Sequence, residues 1–196
     1  MIAIIDTGGA NLSSVSNALD RLDQQWQITK DPQLIQQADK VILPGVGAAK
    51  DSMQRIDQAG LVSVIRNLQQ PVLGICLGMQ LLYDKSEEGD VDCLGIIPGT
   101  VRHIPRKTGL SLPHMGWNRL SFRNPQHPMA QSIVADAWVY FVHSFYGEIN
   151  EFTVATTDYG CEIPALVQKE NFFGAQFHPE RSAQTGTQIL RNFLTL

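Results

Sequence analysis

Val72-Leu73-Gly74-Ile75-Cys76-Leu77-Gly78-Met79-Gln80 is the stretch that decides the fold. An apolar strand over Pro71–Ile75 runs into a helix expected over Leu77–Tyr83, and only a sharp turn at Cys76 separates the two. Gly74 and Gly78 flank the cysteine at the spacing of the nucleophile elbow, G-x-S-x-G, with Cys in the serine position. The glycines permit close backbone approach, and the turn pushes the side chain out at the end of a sheet. A cysteine so placed starts a helix, where free N–H groups and the helix dipole favour a thiolate. A buried core cysteine on a glycine-rich turn would fit the pentapeptide equally well.

Upstream, apolar strands alternate with amphipathic helices. Ile2–Ile5 reads as a buried strand ending in Asp6-Thr7-Gly8-Gly9, and Leu12, Val15, Leu19 and Leu22 mark a helix over Leu12–Leu22. Trp26–Thr29 is a strand, and Asp31-Pro32 caps and opens a helix through Gln37. Val41–Leu43 is a strand closed by Pro44-Gly45, followed by helices over Ala49–Gln58 and Leu61–Leu68. Continuous apolar strands between such helices predict a parallel sheet covered on both faces. Downstream, from Gly95 to Phe177, strand-like pieces dominate: Ile96–Ile104, Trp117–Phe122, Trp138–Tyr146, Phe152–Thr157, Ala165–Lys169 and Phe172–Phe177. These predict an antiparallel continuation of the sheet, finished by a helix around Thr185–Leu194. The expected class is α/β: a mixed, largely parallel sheet with helices on both faces and a strand-rich antiparallel extension.

Composition bounds the function. The chain has 196 residues, within the ~100–200 of one domain, so a single domain over 1–196 is expected. Fifteen Lys and Arg stand against 19 Asp and Glu, giving a formal charge of −4, which argues against a nucleic-acid footprint. Hydrophobic residues make up 43% and charged ones 17%, the reverse of a disordered chain. No run approaches the ~18 apolar residues of a membrane helix, and no signal peptide is evident at the N-terminus. Cys76, Cys93 and Cys161 form an odd, widely spaced trio that fits a reducing, cytoplasmic compartment rather than disulfides or a metal site. No G-x-G-x-x-G follows a strand and no Walker lysine motif occurs, so neither a dinucleotide nor any other cofactor is expected.

Phe177-His178-Pro179-Glu180 adds a second constellation. Residues two apart in an extended segment share a side, so His178 and Glu180 can act together. A nucleophilic cysteine needs a base, and the base needs a carboxylate to orient it. His-Pro-Glu alone also reads as a strand-end turn with solvated charges.

The strings PGVG, GICLGMQ and QFHPE, in this order and spacing, resemble the class I (triad-type) glutamine amidotransferases. PHMGWN at Pro113–Asn118, YFVHSFY at Tyr140–Tyr146 and GAQFHPERS at Gly174–Ser182 narrow the resemblance to the glutaminase subunits of imidazole glycerol phosphate synthase, over essentially the whole chain. The resemblance implies a flavodoxin-like sheet and hydrolysis of glutamine by Cys76 as nucleophile, His178 as acid and base, and Glu180 as its orienting carboxylate. It makes Pro44-Gly45-Val46-Gly47 the oxyanion strand, with Val46, Gly47 and Leu77 as candidate donors. Glutamine binding is expected from Gly45, Gln80, Glu88 (facing the α-ammonium) and His143-Ser144-Phe145. The implied partner is a separate cyclase subunit with an eight-stranded β/α barrel, receiving ammonia for histidine biosynthesis, with Asn11, Trp117 and Arg181 as candidate contacts. One departure stands out: the family's Asp-Tyr-Gly-x-Gly-Asn-Leu loop is Asp6-Thr7-Gly8-Gly9-Ala10-Asn11-Leu12 here. Another synthase's glutaminase, a stand-alone cysteine hydrolase and a non-catalytic binding module are the rival readings. His103, His114 and His127 have no partner pattern, and Cys93 and Cys161 read as inert thiols.

Overall fold

Apolar strands that bury both faces must pair side by side, and the computed structural model, which describes residues 1–8, 12–45 and 47–196, shows how these do. In chain order the elements are β1 (Ile2–Ile5), α1 (Leu12–Asp20), β2 (Trp26–Thr29), α2 (Pro32–Gln37), β3 (Lys40–Gly45), α3 (Ala49–Gln58), α4 (Leu61–Arg66), β4 (Val72–Cys76) and α5 (Leu77–Gln80). Then follow β5 (Tyr83–Ser86), β6 (Val91–Asp92), β7 (Ile97–His103), β8 (His114–Arg119), β9 (Ser121–Phe122), β10 (Trp138–His143) and β11 (Phe145–Gly147). The chain finishes with β12 (Thr153–Asp158), β13 (Glu162–Lys169), β14 (Phe172–Ala175) and α6 (Ala183–Leu194).

The main sheet has eight strands in the order β2-β1-β3-β4-β14-β13-β12-β9. Its first five strands are parallel, and β13, β12 and β9 extend it antiparallel. Alternation along the strands feeds two cores, one per face. Ile5, Leu43, Ile56 and Ile65 pack on one side, and Ile4, Ile42, Leu73, Phe177 and Phe193 on the other. The expected α/β class, with its parallel sheet and antiparallel continuation, is the observed one.

Several boundaries differ from expectation, each for a local reason. Helix α1 stops at Asp20 rather than Leu22, because the chain tightens into i→i−3 bonds (Leu22 N–H to Leu19 O, 3.0 Å) and Asp23 turns to φ 54°. Helix α4 likewise ends at Arg66, where Asn67 N–H is shared between the Ser63 and Val64 carbonyls. Helix α5 ends at Gln80, three residues early, because Tyr83 is drawn into a second sheet. There it pairs with Ile97 and lies fully buried, its hydroxyl donating to Glu148 O at 3.3 Å. The strand-rich half also does not all join the main sheet. β11-β7-β5-β6 form their own four-stranded sheet, and β10 pairs with β8 as a two-stranded antiparallel ribbon. The single strand expected over Trp138–Tyr146 breaks at Ser144, whose carbonyl accepts from Ile104 N–H at 2.8 Å.

At Gly78, helix α5 meets the sheet backbone to backbone. A Cβ at Gly78 would stand 1.8 Å from the Leu43 carbonyl oxygen of β3, and one at Gly74 would stand 2.6 Å from Gly78 O. Both obstacles are backbone atoms that cannot swing away. Gly78→Ala is therefore expected to lower stability by more than about 3 kcal/mol or to yield no soluble protein. Gly60 sits at φ +67° with open space around it, so Gly60→Ala carries only the left-handed strain of about 1–2 kcal/mol. Urea midpoints of the two variants measure the contrast; equal losses would contradict the close-contact account.

Candidate functional site

The turn from β4 into α5 holds Cys76 at φ 54°, ψ −110°, a conformation that costs of order 1–3 kcal/mol and survives only where the surroundings enforce it. Cys76 sits at the carboxyl end of its strand, where ligands bind in open α/β sheets. The register places Gly45 of β3 beside it on one side and the continuation of β14 on the other. Its sulfur lies 3.8 Å from Val142 O and 3.9 Å from Nε2 of Gln176. Leu77 is the first helical residue, so its N–H has no acceptor within α5.

His178 arrives from β14, the strand next to β4. The extended geometry expected for His178 and Glu180 is not what joins them: Pro179–Arg181 is a single 3-10 turn, opened by the fixed φ of Pro179. The turn folds Glu180 back so that its Oε1 meets His178 Nδ1 at 2.8 Å. Ser182 Oγ locks the arrangement by donating to His178 O (2.7 Å) and accepting from Tyr140 N–H (2.9 Å). With Nδ1 committed to Glu180, Nε2 is the ring atom left for Cys76; it is buried and, among the described residues, has no hydrogen-bond partner of ordinary geometry. Burial disfavours the imidazolium, but interaction with Cys76 and Glu180 outweighs it and raises His178 to about 10.

A cleft of about 630 Å³ opens over Cys76. It is lined by Gly45, Gly47, Leu77, Gln80, Glu88, His143, Ser144, Phe145, His178 and Arg181, so most of the residues singled out from sequence share one space. Val46 and Asn11 lie outside the described residues. Trp117 is elsewhere: it is 49% exposed on the outward face of β8, beside Met115 (60% exposed), with its ring edge-on to Tyr140 at 6.0 Å. Glu88 is half committed, because its Oε2 accepts from Ala49 N–H at 2.8 Å and so caps α3, a helix with no side-chain cap of its own. Burial raises the Glu88 carboxyl above its usual value, against the Ala49 hydrogen bond, and Asp51 adds to the rise. Gln80 is buried, not a surface amide, and its Nε2 donates to Phe145 O (2.8 Å) and Gln176 Oε1 (3.0 Å). Elsewhere, burial pushes the Cys93 thiol up to about 12, with Asp92 adding to it.

Two participants escape a reading of the sequence. Gln176 links Gln80 to the Cys76 sulfur; its parity with His178 along an extended segment is the available signal. His114 lies in the PHMGWN string, but nothing along the chain pairs it with His143. It meets His143 only because β8 and β10 pair in a register that sets the two opposite each other, Nδ1 to Nε2 at 3.0 Å. Burial lowers His114 to about 4 and His143 to about 3. The unfolded chain takes up protons near 6.5 where these rings do not, so both subtract stability as pH falls below that value. Among the described residues no group of three or more His, Cys, Asp or Glu could hold a metal ion, and no helix is long and apolar enough to cross a membrane.

Comparison with known proteins agrees with this architecture. The glutamine amidotransferase class-I family matches residues 3–196. Imidazole glycerol phosphate synthase subunit HisH of Xanthomonas campestris pv. campestris is 50% identical over 195 residues, spanning 100% of this chain and 97% of the relative. The HisH subunit of Pasteurella multocida is 52% identical over 193 residues, spanning 98% and 96%. A solved glutamine amidotransferase from Thermotoga maritima shares the fold at a TM-score of 0.65 and 16% identity, covering 99% of this chain and 82% of that one. The chain belongs to the class-I glutamine amidotransferase family and, within it, to the HisH-type subunits of imidazole glycerol phosphate synthase.

Proposed function

We propose that this single domain hydrolyses L-glutamine to glutamate and ammonia at Cys76 and delivers the ammonia to a separate cyclase subunit of imidazole glycerol phosphate synthase. The observation that carries the reading is the strained Cys76 turn sharing one cleft with His178, whose ring is held from behind by Glu180, in a chain of this family. Cys76 passes its thiol proton to His178 Nε2, and the resulting thiolate attacks the side-chain amide carbon of glutamine. The carbonyl π electrons move to oxygen, whose developing charge is met by backbone N–H groups at Leu77 and Gly47. His178 then donates its proton to the departing nitrogen, the C–N bond breaks, and ammonia leaves a glutamyl thioester on Cys76. Neutral His178 next takes a proton from water as it attacks the thioester carbon. Glutamate is released and the Cys76–His178 pair is restored. Glu180 acts throughout on Nδ1, fixing the ring and supporting its charge.

Glu88 is assigned to the substrate α-ammonium with the oxygen that α3 leaves free, and the segment His143-Ser144-Phe145 to the substrate backbone. Ammonia released into water is largely protonated and no longer nucleophilic, which favours direct transfer to a partner. The outward face of β8, with Met115 and Trp117, supports docking there, since exposed Trp is enriched at interface hot spots. The partner we assign is a β/α-barrel cyclase that makes imidazole glycerol phosphate and aminoimidazole carboxamide ribotide, with Arg181 at the shared edge of the cleft. The compartment assigned is the cytoplasm.

Cys76→Ala is expected to lower glutamine-dependent synthesis by the assembled pair roughly 10⁴–10⁶-fold while ammonia-dependent synthesis continues. Retention of a tenth of the glutaminase rate would end the assignment. Glu88 gives a finer test because its two oxygens have separate duties. Glu88→Gln keeps an acceptor for Ala49 N–H but loses the charge, so KM for glutamine rises ten- to a hundredfold, about 1.5–3 kcal/mol, with kcat nearly unchanged. Glu88→Ala also uncaps α3, which starts two residues after Gly47, so kcat falls as well. Steady-state kinetics of the two variants with the partner present decide between this and a purely surface role, which predicts an unchanged KM.

A further inference from the structure

The buried histidines His143 and His114 form a hydrogen-bond chain whose direction is fixed at both ends. At one end Phe145 O can only accept, so His143 Nδ1, 2.8 Å away, carries the hydrogen. His143 Nε2 is then a bare lone pair, and His114 Nδ1, 3.0 Å away, must donate to it. That leaves His114 Nε2 as an acceptor, and Asn118 Nδ2 lies 3.3 Å from it. At the far end the Asn118 amide is oriented independently: Nδ2 donates to Asp158 O at 2.8 Å, and Oδ1 accepts from Arg119 N–H at 2.8 Å. Every hydrogen runs the same way, from Asn118 through His114 and His143 to Phe145 O, and each ring has one donor and one acceptor in use. Protonating either ring would place two N–H groups head to head.

The chain ends in the cleft, for Phe145 and His143 both line it and Phe145 O is also held by Gln80. We infer that His114 is a positioning residue of the proposed glutaminase site, holding His143 in its neutral Nδ1–H form so that the Phe145 carbonyl and the cleft wall keep one geometry. The inference rests on the proposed function for its kinetic consequence, but not for its structural one. The titratable groups facing His143 are His114 from β8 and His178 from beyond β14. Because the charged form of His178 is the favoured one, a charged His143 beside it would set two like charges together, and a donor at Nε2 prevents that. The His114 ring is itself stacked between Phe141 (centroids 4.7 Å) and Tyr159 (3.9 Å), so an aromatic replacement can fill its slot. On the same strand, Met115 and Trp117 point the opposite way to solvent, which makes β8 the backbone shared by the docking face and this chain.

Two-dimensional long-range ¹H–¹⁵N NMR of the labelled full chain reads ring tautomers directly. The expected spectrum shows His114 and His143 as neutral Nδ1–H rings from about pH 8 down to about pH 5, above the lowered values of both rings. A neutral Nε2–H form of His143, or a charged His143 at about pH 6, would overturn the inference whether or not the chain is a glutaminase. In kinetics with the cyclase partner, His114→Phe is expected to raise KM for glutamine roughly tenfold, the scale of one lost hydrogen bond, with a smaller change in kcat. His114→Asn, whose amide can still donate to His143 Nε2, is expected to restore KM to within about threefold. Equal KM in wild type and His114→Phe would refute the positioning role. Should His114→Phe not fold, the wild-type tautomers and the His114→Asn kinetics still decide.

Discussion

The contact between the α5 backbone and the sheet is the constraint on which the remaining geometry depends. Gly78 stands against the Leu43 carbonyl of β3 and Gly74 against Gly78 itself, at separations that admit no side-chain carbon. A helix held that close to its own preceding strand leaves no room for a relaxed connection, so the last residue of the strand takes a positive φ. The strain at Cys76 is thus imposed by packing, and its consequence is chemical. The thiol is driven out at the carboxyl end of β4, between the end of β3 and the extension of β14. Strand order delivers Gly45 and the approach to His178, and the 3-10 turn after β14 brings Glu180 onto the His178 ring.

Electrostatics then separates three histidines around one cleft. His178 has a carboxylate on one ring nitrogen and a thiol opposite the other, and its charged form is favoured despite burial. His143 and His114 are hydrogen-bonded to neutral groups, and burial drives both far below the ordinary imidazole range. Adjacent rings of the same type therefore differ in kind: one favours its charged form, and the other two serve as fixed dipoles. The Gln80–Gln176 amide pair extends this uncharged lining to the sulfur itself.

Local signals in the sequence are enough for the parts of the site that are local. The glycine–cysteine–glycine spacing, the Asp31-Pro32 helix start (Asp31 Oδ1 accepting from Gln33 N–H at 2.8 Å) and the adjacency of His178 and Glu180 each lie within a few residues. What stays hidden is what tertiary structure decides. The helix expected over Leu77–Tyr83 overruns α5 because Leu81, Leu82 and Tyr83 are apolar, and apolar runs do not distinguish a helix end from the start of a buried strand. The split of the second half into a four-stranded sheet and a two-stranded ribbon depends on pairing partners that no alternation pattern names. His114 is opposite His143 by register, and Glu88 caps a helix that starts 39 residues upstream; neither relation has a trace along the chain.

The claim at the centre of this account is that Cys76 alone among three cysteines is the nucleophile for a glutamine side chain. The direct measurement is intact-mass and peptide mapping after treatment with an electrophilic glutamine analogue, with the cyclase partner present. The account predicts one adduct per chain, located on Cys76 and suppressed by excess L-glutamine, with Cys93 and Cys161 unmodified. Labelling spread over the three cysteines, or labelling of Cys76 that L-glutamine does not suppress, would contradict it.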